Sequence, residues 1–331
     1  MGGADKVSLN LLRCLRDKNI SFKIFYTNSS IPRAVQGFHP PGWNPPSREE
    51  QFKELGELIF INDAAEINKH GITVLHTHRS GEDVNLLPSL QHSTNNFKIL
   101  ETNFFGSTIT RADLRVFVSA TIARGRSPVI PNAIAISETS EDMRDELGLG
   151  NKFVYGKLSR PDNDIYSPIS LEAYARVEDE NTAFLYIGSN PKAIQLAREL
   201  GLKSVIFMDP ILDTKSISRA YNTMDLFCHS NGCGETFGNT IAEAFIHNRA
   251  VISHRGGADH WPQAHKELFG DRIDLYIEDR SIDSYANLMK KMRLENGFRI
   301  SAAKYLKDRA EKLYNANVVT DQYISLYERL S

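Results

Sequence analysis

The chain has 331 residues, enough for two domains of ordinary size. Its 39 Lys+Arg and 41 Asp+Glu leave a formal net charge of -2, so no basic field draws it to nucleic acid. Three cysteines, Cys14, Cys228 and Cys233, lack the number and spacing of a disulfide framework or a zinc site. They read as buried thiols in a reducing compartment. With no membrane-length apolar run and no signal-peptide core, the expected location is the cytoplasm, peripheral membrane contact being left open.

In chain order, Val7, Leu11, Cys14 and Leu15 recur at helical spacing and predict a helix. A strand at Phe22 to Tyr26 follows, then His39-Pro40-Pro41-Gly42-Trp43-Asn44-Pro45-Pro46, which can be neither helix nor central strand. Further strands are predicted at Leu58 to Ile61, Ile72 to Leu75, Lys98 to Glu101, Arg115 to Val118 and Val129 to Ile130. The polar stretch Ser137 to Gly150 reads as a linker with a short helix, Glu141 to Leu147, closed by Gly148 and Gly150. A second series has strands at Phe153 to Tyr155, Ala183 to Ile187, Ser204 to Met208, Asp225 to Cys228, Ala250 to Ser253 and Leu275 to Ile277. Helices fall between them, at Lys192 to Leu200 and Ser216 to Met224 among others, and 301–330 is helical. Strands alternating with helices predict an α/β fold of two Rossmann-like halves with parallel sheets, facing a ligand cleft expected at the strand C-termini, between the halves.

The segment from Gly234 to Ala244 carries the chemistry. Phe237, Ile241, Ala244 and Phe245 predict a helix with one buried face, Glu235 in the loop feeding it and Glu243 about two turns inside. Between the two acids, the N–H groups of the first turn favour an anion. A sugar nucleotide has that layout: hydroxyls, a diphosphate, then a ribose diol. Two glutamates on a solvated helix edge is the plainer alternative, and the flanking Gly234, Gly238 and preceding strand weigh against it.

Taken together, these residues resemble the retaining nucleotide-sugar glycosyltransferases of the GT-B fold, in particular glycosyltransferase family 4. Glu235 to Glu243 is similar to that family's Glu-x7-Glu motif, and Gly156-Lys157-Leu158-Ser159-Arg160 to its diphosphate-binding strand end. Gly2-Gly3-Ala4-Asp5-Lys6, Val74 to His78 and Val129 to Asn132 resemble further landmarks. The resemblance implies that Glu235 contacts the transferred sugar and Glu243 the ribose, while Lys157 and Arg160 neutralise the leaving diphosphate. Gly3 and the N–H groups of Phe237, Gly238 and Asn239 would assist at the donor, and His78 and Asn103 are acceptor-side candidates. It implies no metal and no cofactor, the nucleoside-diphosphate sugar being a substrate, and a carbohydrate, lipid-linked or glycoconjugate acceptor. The domains expected are 1–136 (acceptor side), a linker at 137–150, 151–315 (nucleotide-sugar binding), and a helix at 316–331 crossing back to the first.

The sequence departs from that pattern in three places. The family places a hydrophobic strand before the glycine loop, whereas here Met1 precedes Gly2-Gly3, so the first strand of the N-terminal sheet is expected to be missing. No second basic residue follows Arg160 through Tyr166, and Thr102-Asn103 stands where the family often has a histidine. These departures keep an alternative open: a glycosyltransferase-like nucleotide-binding or scaffold protein without turnover. A nucleotide-sugar epimerase is a third reading with no residues for its second acid/base role.

Overall fold

The computed structural model describes residues 3–27, 48–79, 95–163, 165–257 and 261–331; the proline-rich segment 39–46 and Gly2 lie outside them. The chain opens with α1 (Gly3–Asp17), whose Val7, Leu11, Cys14 and Leu15 are buried. There follow β1 (Ile24–Tyr26), α2 (Glu49–Lys53), β2 (Leu58–Phe60) and a 3-10 helix at Ala64–His70. Asp63 and Glu66 close a capping box at the start of that 3-10 helix, and Gly71, left-handed at φ 63°, ends it. Next come β3 (Val74–Arg79), β4 (Lys98–Asn103), β5 (Leu114–Phe117) and α3 (Ala120–Ala123).

The second series is β6 (Phe153–Leu158), α4 (Ile169–Tyr174), β7 (Thr182–Ile187), α5 (Pro191–Glu199), β8 (Val205–Met208), α6 (Thr214–Thr223) and β9 (Leu226–Cys228). It continues through α7 (Asn239–Ile246), β10 (Ala250–His254), α8 (His265–Leu268), β11 (Tyr276–Ile277) and α9 (Ile282–Leu294) to α10 (Asn296–Leu313) and α11 (Ala316–Leu330). Caps explain several starts: Asn190 before Pro191, Asp213 before α6, Ser281 before α9 and Asn315 before α11 each accept an N–H from the first turn.

Two compact units result: among described residues, one holds 3–27, 48–79, 95–134 and 313–331, the other 135–163, 165–257 and 261–312. In the first, β1 pairs with β2 and β3-β4-β5 form a separate sheet, all parallel. Phe25 of β1 and Ile59 of β2 pack against the same apolar cluster as Leu75 of β3 and Ile99 of β4, with Ala64 and Ile67 covering it. α11 packs on α1, and its Tyr327 and Tyr323 hydroxyls meet His76 Nδ1 and Thr102 Oγ1, both at 2.7 Å.

The second unit is one parallel sheet in the order β11-β10-β9-β6-β7-β8. Strand order reverses between β6 and β9, and in such sheets the crevice at the carboxyl ends of the two strands beside the reversal receives the ligand. Every residue of β7, β9 and β10 is buried, as a sheet covered on both faces requires.

Three local expectations need correction. Residues 141–147 form turns and no helix: the Met143 N–H donates to Thr223 Oγ1, and the Arg144 guanidinium to the carbonyls of Gly150 and Lys152. Those tertiary partners replace a helical ladder. Val129–Ile130 contributes an isolated bridge to Phe117, not a strand. α7 begins at Asn239, so Glu243 lies a little over one turn inside it, not two.

Candidate active site

β6 delivers Gly156-Lys157-Leu158 to the reversal point. Lys157 is 2 % exposed; its ammonium donates to the Ser230 carbonyl at 2.6 Å and to Ser230 Oγ at 2.7 Å. It also lies 5.1 Å over the ring of Tyr186, its partner in the β6–β7 register. Burial lowers its pKa to about 7. An anion arriving beside it would favour the protonated form. Arg160, past the strand end, is 45 % exposed and pairs with buried Asp162 at 2.6 Å.

The loop after β9 builds the acidic side. Asn231 Oδ1 accepts the Cys233 N–H at 3.2 Å, and Asn231 Nδ2 donates to Glu235 Oε1 at 2.7 Å. His229 Nε2 lies 3.5 Å from the same oxygen. Burial alone would raise the Glu235 pKa; hydrogen bonding, from His229 first and Asn231 after it, helps outweigh burial, and the carboxyl is held below its usual value. Its side chain keeps 28 % exposure, and Oε2 takes no hydrogen bond from a described residue.

Two close approaches shape this loop. Glu235 bridges to Gln263, with the Ala264 N–H donating to the Glu235 carbonyl at 2.9 Å. A Cβ on Gly234 would come within 1.8 Å of the Pro262 carbonyl oxygen, so the two loops meet backbone to backbone at a glycine. Gly238, left-handed at φ 110°, turns the chain into α7, and Phe237 before it is buried. The helix N-terminus formed by Gly238 and Asn239 thus follows Glu235 directly, with its partial positive charge.

Glu243, inside α7, is 3 % exposed and accepts from the Tyr221 hydroxyl at 3.1 Å. Burial holds His254 and His265 neutral, with pKa values lowered to about 3 and about 4. Lys157, Arg160, Glu235, Phe237, Gly238, Asn239 and Glu243 therefore all belong to the second unit. Gly3, His78 and Asn103 belong to the first. His78 Nδ1 meets Ser8 Oγ at 3.0 Å and its ring packs on His76. Asn103 donates to Glu101 Oε1 and the Ser107 carbonyl and accepts the N–H groups of Phe105 and Gly106.

Sequence reasoning passed over Asn231, His229 and Ser253. The polar triplet His229-Ser230-Asn231 directly after an apolar strand was the available signal. Among the described residues, no group of three or more His, Cys, Asp or Glu is arranged to hold a metal ion. No helix among them is long and apolar enough to cross a membrane.

Two α/β units with parallel sheets, matched over nearly the whole chain by solved glycosyltransferase structures, have the GT-B fold. Residues 155–292, from β6 into α9, match the family model described as glycosyl transferases group 1. No curated protein matches the chain. Among solved structures, a glycosyltransferase from Rickettsia africae ESF-5 is similar over 99% of this chain and 95% of its own, with 14% identity and a TM-score of 0.74. Sucrose-phosphate synthase from Thermosynechococcus elongatus is similar over 99% of this chain and 94% of its own, at 17% identity and TM-score 0.73. Anabaena HepE in complex with UDP and glucose is similar over 99% and 96%, at 15% identity and TM-score 0.70.

Proposed function

We propose that the chain transfers a sugar from a nucleoside-diphosphate sugar to a hydroxylated acceptor, with retention and without a metal ion. The acceptor oxygen bonds to the anomeric carbon as the bond to the diphosphate breaks on the same face, and the acceptor proton passes to the departing phosphate oxygen. Charge appears on the diphosphate, so that is where stabilisation lowers the barrier. Lys157, Arg160 and the α7 N-terminus are assigned to it, Glu235 to the sugar hydroxyls, Glu243 to the ribose.

The observation that carries this reading is Glu235: a carboxylate held below its usual pKa, with Oε1 tied to Asn231 and Oε2 without a donor among the described residues, in the loop after β9, the strand that pairs with Lys157's own β6 at the strand reversal. HepE, alike in fold, is seen with UDP and glucose, which makes UDP-sugars the first donors to screen, before GDP-, ADP- and dTDP-sugars. Glu235→Ala is expected to lower kcat roughly ten- to a hundredfold, the worth of a charge-assisted hydrogen bond made in the transition state. Steady-state donor hydrolysis and transfer over an acceptor panel measure it. Unchanged kinetics remove the assignment; nucleotide binding without any turnover favours the binding-protein alternative.

A further inference from the structure

We propose that His229 is a positioning residue for Glu235, and that Ser253 fixes the imidazole tautomer this requires. The inference rests on the sugar-transfer reading above, in which Glu235 must present one defined oxygen to the donor sugar.

The β9–β10 register pairs Cys228 with Ile252, so His229 and Ser253 are the next facing residues. Ser253 is fully buried, and its Oγ lies 2.7 Å from His229 Nδ1. The imidazole backbone is pinned on both sides: the His229 N–H donates to the Ile252 carbonyl, and the Tyr285 hydroxyl donates to the His229 carbonyl, each at 2.9 Å. In a neutral ring to which Ser253 donates at Nδ1, the single proton sits on Nε2, facing Glu235 Oε1 at 3.5 Å. The other tautomer would set a nitrogen lone pair against a carboxylate. That contact is long for a hydrogen bond; such contacts at active sites commonly tighten when ligand binds.

Asn231 Nδ2 approaches the same Oε1. Two donors on one oxygen fix the plane of the carboxylate and leave Oε2 toward the donor sugar. Three described ionisable groups nearby are otherwise engaged or uncharged. His265, whose ring centre is 5.4 Å from that of His229, and His254 are both kept neutral by burial, and the Lys157 ammonium is bonded to Ser230.

The test uses the full chain in two arms. In the first, 15N imidazole spectra of the ligand-free protein should show His229 as the Nε2–H tautomer, and Ser253→Ala should produce a mixture. An Nδ1–H tautomer in the unaltered protein overturns the proposal without any substrate. In the second arm, hydrolysis of UDP-glucose, or of whichever screened donor gives the highest turnover, is followed with binding of its free nucleoside diphosphate. His229→Ala should lower kcat about tenfold while KM and diphosphate affinity move less than about threefold, and His229→Gln, which keeps an N–H at the Nε2 position, should recover most of the loss. Full activity in a folded His229→Ala protein sinks the positioning role when Glu235→Gln is impaired. Full activity in Glu235→Gln sinks the sugar-transfer assignment itself.

Discussion

Among the described residues, six parallel strands of the second unit share one sheet, and its inner strands β7, β9 and β10 are buried along their whole length. In the first, five strands divide into a pair and a triplet; β1 has no fully buried residue, and β3 has one. Polar groups differ in the same way. Glu235 keeps an oxygen without a donor among the described residues, whereas Asn103 has both amide atoms engaged within its own loop and with Glu101. Glu101 itself is fully buried between Arg79 at 2.8 Å and Arg115 at 2.7 Å. Residues of one chemical type can thus be ready for a ligand in one unit and consumed by structure in the other. Side-chain hydrogen-bond saturation, more than residue type, separates the two cases.

Gly234→Ala tests the ligand-ready half of that comparison most severely. The added Cβ meets the Pro262 carbonyl, which has no flexible end to move aside, so the Glu235 loop or the 261–264 segment must shift. A displacement of about 1 Å at a catalytic group costs on the order of a hundredfold in rate. Turnover should fall by at least that factor, while proteolytic resistance of the first unit stays unchanged. Retained turnover would mean that this loop contact does not hold the site.

Most strands were legible because the chain alternates apolar runs with turn residues: Leu58–Phe60, Lys98–Asn103 and Val205–Met208 fall within two residues of their predicted bounds. Their shortfall lies at polar ends. Lys157-Leu158 and Thr102-Asn103 extend strands beyond their apolar cores, because ladder bonding continues where hydrophobicity stops. The Glu235 loop was legible from its glycines and the buried helix face after it. The partnership of His229 and Ser253 was not: 24 residues separate them, and a β9–β10 register makes them neighbours. Nor could sequence tell that Asn103 would be saturated, since its partners include residues shaped by the same loop.

Asn103→Ala probes the structural half at intermediate size. It removes donors to Glu101 and the Ser107 carbonyl and an acceptor for two backbone N–H groups. The expected cost is about 1–3 kcal/mol of stability, from buried groups left without partners. Chemical denaturation should register it, with kcat/KM for the folded fraction within about twofold. A kinetic loss that outweighs the stability loss would instead make Asn103 an acceptor contact and break the comparison.

The smallest expected effect concerns the pH response of the first unit. Burial lowers the His78 pKa to about 4, against about 6.5 for an unperturbed imidazole. The unfolded chain therefore binds a proton at this residue that the folded chain refuses between those values. Stability contributed by the neutral ring is fully present above about pH 6.5 and is lost as pH falls toward 4, with a slope of at most about 1.4 kcal/mol per pH unit for one proton. His76, lowered by burial and then by His78, adds to the same trend. In His78→Gln, proton uptake on unfolding between pH 4.5 and 6 should fall by roughly one. Calorimetric melts across that range measure it, and an unchanged uptake would show that the His78 ring is already solvated in the folded chain.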